Sequence, residues 1–191
     1  MVKVSLLSNP VKNICAIDAS TNSLAFAIFN DKQLVASGKI KFAGIDTYAK
    51  VGDAARKSFA FLKNFDIDAI VIEHTVFMNS PKTAADLALV QGGLLGAARM
   101  LGIKKFGSVS PITWQNYIGN KKLTTPEKLE IANANPGKAA STLKSIEREA
   151  RKQKTIRFVN AYYDKNISDN DVADAVAIGH YAVSNLQKVG L

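Results

Sequence analysis

Apolar residues fall along this chain in two rhythms. Short runs rich in Ile, Val, Phe and Ala occur at 14–18, 25–29, 34–41, 67–73 and 105–109, and these read as strands. Asn30-Asp31-Lys32 separates the second run from the third, which predicts an antiparallel hairpin. The run at 67–73 is apolar enough to be buried on both faces. The second rhythm is helical. Residues 47–64 place Val51, Ala54, Ala55, Phe59 and Leu62 at three- and four-residue steps, and 169–186 do the same with Val172, Ala173, Val176, Ile178, Ala182 and Val183. Residues 83–101, rich in Ala, Leu and Gly, form another helix, and Pro111 opens a short one. Asn135-Pro136-Gly137 divides 119–157 into two more.

Three antiparallel strands therefore come first, followed by strands joined through helices and hence parallel. The economical architecture is one α/β domain over 1–191, a mixed five-stranded sheet with helices on both faces. Gly92, Gly93 and Gly96 interrupt the 83–101 helix and weaken it, so another backbone comes close there. Packing within the domain and a dimer seam both account for that approach.

Charge changes the picture. The chain carries a formal +9, which predicts a polyanionic partner. Ten Lys or Arg against four Glu concentrate a net +6 in the basic helical segment 119–157. Within it, residues 144–157 read as a rail for DNA phosphates or, alternatively, as a solvated helix face with local Glu pairs. The single cysteine, Cys15, excludes an internal disulfide and a Cys-based zinc site. No apolar stretch is long enough to span a bilayer, and no signal-peptide core is evident, so a cytoplasmic protein without membrane attachment is expected.

Against this basic background, four carboxylates stand out. Asp18 and Glu73 end apolar strands, where burial is costly unless the group is protonated, paired or bound to a cation. Asp171 and Asp174 lie one turn apart on the last helix. Magnesium takes oxygen ligands and keeps several waters, so four carboxylates suffice for a site of two ions. Two such ions roughly 3.5–4 Å apart activate water and stabilise the leaving oxygen in phosphodiester hydrolysis. Asp18 as a turn cap, and Asp169 and Asp171 as favourable charges at a helix N-terminus, are the structural alternatives. The pattern points to a metal-dependent nuclease.

The segments Ile14-Cys15-Ala16-Ile17-Asp18-Ala19-Ser20-Thr21-Asn22-Ser23-Leu24-Ala25-Phe26-Ala27-Ile28-Phe29, Ile72-Glu73-His74-Thr75-Val76-Phe77-Met78 and Asp171-Val172-Ala173-Asp174-Ala175-Val176-Ala177-Ile178 resemble, in order, the acidic motifs of RuvC-type Holliday junction resolvases. The resemblance implies an RNase H-like fold and a homodimer through the 83–101 helix. It also implies cleavage of four-way DNA junctions dependent on Mg2+ or Mn2+, with Asp18, Glu73, Asp171 and Asp174 as catalytic metal ligands.

Phe77 is similar to the family's aromatic residue beside the junction, with core packing as its alternative role. Lys128 resembles a basic residue used near the scissile phosphate. Gln115 stands where the family has a lysine; either Lys121 or Lys122 substitutes for it or that contact is missing. Lys144, Arg148, Arg151, Lys152 and Lys154 complete the expected DNA-binding set. The longer basic segment is unlike the shorter bacterial versions and is more in keeping with a phage- or plastid-type variant.

Competing readings are a broader branched-DNA nuclease, a ribonuclease of the same fold acting on RNA–DNA hybrids, a non-catalytic DNA-binding relative, and a sugar-kinase or actin-like nucleotide-binding protein. The last rests on Asp18-Ala19-Ser20-Thr21-Asn22 alone, in a chain too short for the usual two domains and without a glycine-rich adenosine loop.

Overall fold

The structure, a computed structural model, describes residues 10–74 and 80–191. Strands β1 (Asn13–Ala19), β2 (Ser23–Asn30), β3 (Gln33–Lys41), β4 (Ala69–Glu73) and β5 (Lys105–Val109) form one sheet in the order β3-β2-β1-β4-β5. β1 pairs antiparallel with β2, and β2 with β3, while β1 pairs parallel with β4, and β4 with β5. This is the mixed sheet that the sequence predicts.

The hairpin turn holds Asp31 in the left-handed region at φ 51°, a conformation Asp tolerates, and its N–H donates to the Lys12 carbonyl at 2.8 Å. β4 starts at Ala69, two residues later than the apolar run suggests. The reason is Asp68, whose carboxylate accepts the backbone N–H groups of Lys12 (2.9 Å) and Asn13 (2.8 Å) at the mouth of β1. Ile67 is still buried.

Strand alternation sorts the side chains into two cores. Ile14, Ala16, Ala25, Ala27, Phe29, Ala69 and Val71 face helix α6 (Asn170–Ser184) and helix α5 (Ala140–Tyr163). Cys15, Ile17, Leu24, Ile28, Ile70 and Ile72 face helices α1 (Thr47–Leu62) and α2 (Pro81–Met100) on the other side. Helix α3 (Pro111–Tyr117) follows β5, and α4 (Thr125–Asn133) precedes α5.

α6 is buried from Val172 to Ala182 except at Asp174. Its small residues let it lie close on the sheet; at Gly179 a β-carbon would overlap the Phe29 ring and reach within 3.1 Å of Ala16. Its N-cap is Asp169, which accepts the N–H groups of Asp171 (2.9 Å) and Val172 (3.2 Å). The two helices expected in the basic segment are α4 and α5. α4 starts with a capping box between Thr124 and Glu127. α5 continues six residues beyond the basic stretch, to Tyr163, because Ile156, Val159 and Tyr163 pack into the α6-side core.

The glycines of α2 divide their work. Gly93 packs on Val51 and Ala55 of α1, where a β-carbon would come within 3.1 Å of Val51. Gly92 and Gly96 face open space. Past α6 the chain makes a short 3-10 helix (Leu186–Val189) that sits against Gly107 of β5. Among the described residues no helix is long and apolar enough to cross a membrane.

Candidate active site

The sheet register lines up the chemistry. Asp18 pairs with Ala25 on β2, and Ala25 with Lys39 on β3. On the other side Ile17 pairs with Ile72, and the next step of that parallel register sets Glu73 beside Asp18. Asp18 thus takes the position after Ile14 and Ala16 on the α6-facing side, where the alternation would otherwise place another core residue. Glu73 follows Ala69 and Val71 in the same way. α6 lies across these strand ends, and its first turns bring in Asp171 and Asp174.

All four carboxylates line one cavity of about 340 Å³, together with His74, Gln91, Gln115, Asn120 and Thr155. α5 contributes Arg148, Arg151 and Lys152 to the same lining. Two residues that sequence reasoning missed hold the acids in place. The buried Trp114 of α3 donates its indole N–H to Glu73 Oε1 at 2.8 Å. Lys39 donates to Asp171 Oδ2 at 2.5 Å and to Asp169 Oδ2 at 3.1 Å. The sole tryptophan carried a signal, since a buried indole N–H needs an acceptor. Lys39 carried none, being 132 residues from its main partner.

The site is electrostatically frustrated. Burial first, then repulsion from Glu73, Asp174 and Asp171, pushes Asp18 up to about 8, with Lys39 opposing. Burial first, then Glu73 and Asp171, pushes Asp174 up to about 7, with Lys152 and a hydrogen bond from Thr155 opposing. Burial also raises Glu73, and the Trp114 hydrogen bond moderates it. Carboxylates crowded until they hold protons near neutrality are what a bound dication would relieve. The oxygen-rich donors suit a hard cation such as Mg2+ or Mn2+. Among the described residues no three His, Cys, Asp or Glu side chains are drawn together closely enough to enclose an ion as they stand. Lys39 on Asp171 and Trp114 on Glu73 divert two of the four donors.

The expected DNA-binding residues separate into groups. Arg148, Arg151 and Lys152 reach the cavity. Arg151 Nη2 donates to Gln115 Oε1 at 2.6 Å, so the cation beside Gln115 comes from α5. Lys121 and Lys122 are exposed and do not line the cavity, and Lys144 is likewise exposed on α5. Lys128 pairs with Glu147 at 3.8 Å, and Lys154 with Glu127 at 2.6 Å, which ties α4 to α5. Phe77 lies outside the described residues.

No protein-family model and no curated protein matches this chain. Solved structures do. Thermus thermophilus RuvC in complex with a Holliday junction substrate matches with a TM-score of 0.67 at 14% identity, over 92% of this chain and 96% of that one. A second Thermus thermophilus RuvC structure matches with a TM-score of 0.64 at 16% identity, over 93% and 97%. The chain therefore has the RuvC-type, RNase H-like fold, as its sequence motifs led us to expect.

The raised carboxylates give a pH signature. Asp18 titrates at 3.8 in the unfolded chain and at about 8 when folded. Between those values the folded chain holds a proton that the unfolded chain has released, so stability falls as pH rises across this window. In chelator, Asp18→Asn is expected to be more stable than wild type at pH 8, by on the order of 1–3 kcal/mol. The advantage shrinks as pH falls and vanishes below the unfolded value. Urea melts from pH 4 to pH 8 check this; a gap of constant size would contradict it.

Proposed function

We propose that this chain is a metal-dependent, structure-selective DNA endonuclease that resolves four-way junctions by paired nicks. The observation that carries this reading is one cavity lined both by four crowded carboxylates and by three α5 cations. DNA binding alone needs no acid in a basic groove, and the cost of gathering these charges is recovered only if a cation joins them. The fold supports the reading, since a protein of this fold was solved with a Holliday junction substrate.

Asp18, Glu73, Asp171 and Asp174 are the residues that would hold the ions. When bound, two divalent ions supply an activated water and stabilise the leaving oxygen of an in-line displacement. The chain's own groups do the rest. Trp114 holds Glu73 through Oε1, and Oε2 is not part of that hydrogen bond. Thr155, itself held by Asn120 at 2.9 Å, orients Asp174. Arg148, Arg151 and Lys152 seat the phosphates flanking the scissile bond, and the exposed Lys121, Lys122 and Lys144 extend the contact outward. Lys128 and Lys154 join only as their glutamate partners release them. Phe77 follows Glu73 closely enough in the chain to act beside the cut strand.

Paired nicking needs two such sites. Ala85, Ala88, Leu89, Gly92, Gly96 and Met100 leave one face of α2 apolar and exposed, which supports a two-fold homodimer through this helix. Equilibrium sedimentation tests this: a dimer at tens of micromolar chain is expected, and a monomer with full junction activity would contradict it.

The reading itself is tested by Glu73→Gln. Nicking of a four-way junction in Mg2+ or Mn2+ is expected to fall about a thousandfold, with junction affinity within about threefold of wild type. Undiminished cleavage would overturn the assignment. Equal cutting of forks by wild type would favour a broader debranching nuclease, and preference for RNA–DNA hybrids a ribonuclease.

A further inference from the structure

Lys39 is the one basic residue in the row that runs from β3 through Ala25 to Asp18 and Glu73. Ala25 stands between Lys39 and Asp18 in the register and presents only a methyl group, and the lysine ammonium reaches the start of α6. Its ammonium meets Asp171 Oδ2 at 2.5 Å, Asp169 Oδ2 at 3.1 Å and Asp169 Oδ1 at 3.4 Å. The cluster is half-buried, with side-chain exposures of 24% for Lys39, 36% for Asp171 and 44% for Asp169, so solvent screens it only in part.

The two aspartates are held differently. Asp169 is locked as the N-cap of α6 by two backbone N–H groups. Among the described residues the Asp171 carboxylate has one further hydrogen bond, 3.4 Å from Asn170. Asp169 is therefore the stationary carboxylate and Asp171 the one free to turn into the cavity that it already lines.

We propose that Lys39 is a positioning residue that competes with the divalent cation for Asp171, and that Asp169 is the carboxylate that keeps the ammonium when the cation takes Asp171. This rests on the metal-site reading above. A dication outbids a single ammonium for one carboxylate once its concentration suffices, and Asp169 spares the lysine from being left unpaired in a half-buried place. Lys39 thus sets the metal concentration at which the site closes.

The test is Mn2+ binding by calorimetry, with no DNA present, to folded wild type, Lys39→Gln, Lys39→Arg, Asp169→Asn and the Lys39→Gln/Asp169→Asn pair. Lys39→Gln is expected to bind Mn2+ about tenfold more tightly. Lys39→Arg stays near wild type. Asp169→Asn keeps the helix cap but binds Mn2+ several-fold more weakly, because the ammonium then has Asp171 alone. In the Lys39→Gln background that second change has no effect. Equal or weaker Mn2+ binding by Lys39→Gln would overturn the role given to Lys39 and leave the metal site standing. So would an Asp169→Asn effect that persists without the lysine, which marks simple loss of charge. No Mn2+ bound by any of the five folded proteins would overturn both.

Discussion

Everything at this site depends on carboxylates buried together where β1 and β4 end and α6 begins. Four acids share one cavity, and two of them, Asp18 and Asp174, are pushed up to about 8 and about 7, by burial first and then by neighbouring carboxylates. In the proposed function a bound cation offsets that cost, and the all-oxygen donor set suits one. The surrounding contacts are responses to the same strain. Trp114 steadies Glu73, Thr155 steadies Asp174, and Lys39 neutralises Asp171.

The sheet and α6 make that crowding possible. Strand register sets Asp18 and Glu73 side by side on one face, so the site needs no loop to assemble it. α6 closes over them because small residues, Gly179 above all, let the helix settle onto Ala16 and Phe29. α5 then lies against α6 and turns its cations toward the acids, which places positive charge where a phosphate backbone would enter. Under the proposed function, the acids would hold metal and the α5 cations would draw DNA to the same cavity.

Much of this was legible in the residues themselves. Runs of alternating Ile, Val and Ala located the strands, and β5 spans the residues that its pattern marks. The acids were legible because a carboxylate closing an apolar strand is anomalous wherever the strand lies. The α2 glycines were legible as close approaches, though only the packed helices show that Gly93 serves the domain while Gly92 and Gly96 face outward. What escaped was pairwise and distant. Nothing linear joins Lys39 to Asp171, or Trp114 to Glu73, because register and helix docking create those pairs. The end of α5 escaped for another reason: charge dominates the basic stretch, while Ile156, Val159 and Tyr163, which carry the helix onward, count only against α6.

The most direct test of the central claim is anomalous diffraction from crystals grown with Mn2+. The account predicts manganese in the cavity at roughly 2.0–2.2 Å from carboxylate oxygens of Asp18 and Glu73, with Asp171 or Asp174 completing the set. Crystals that hold manganese elsewhere, or none at millimolar Mn2+ with all four side chains ordered, would contradict it.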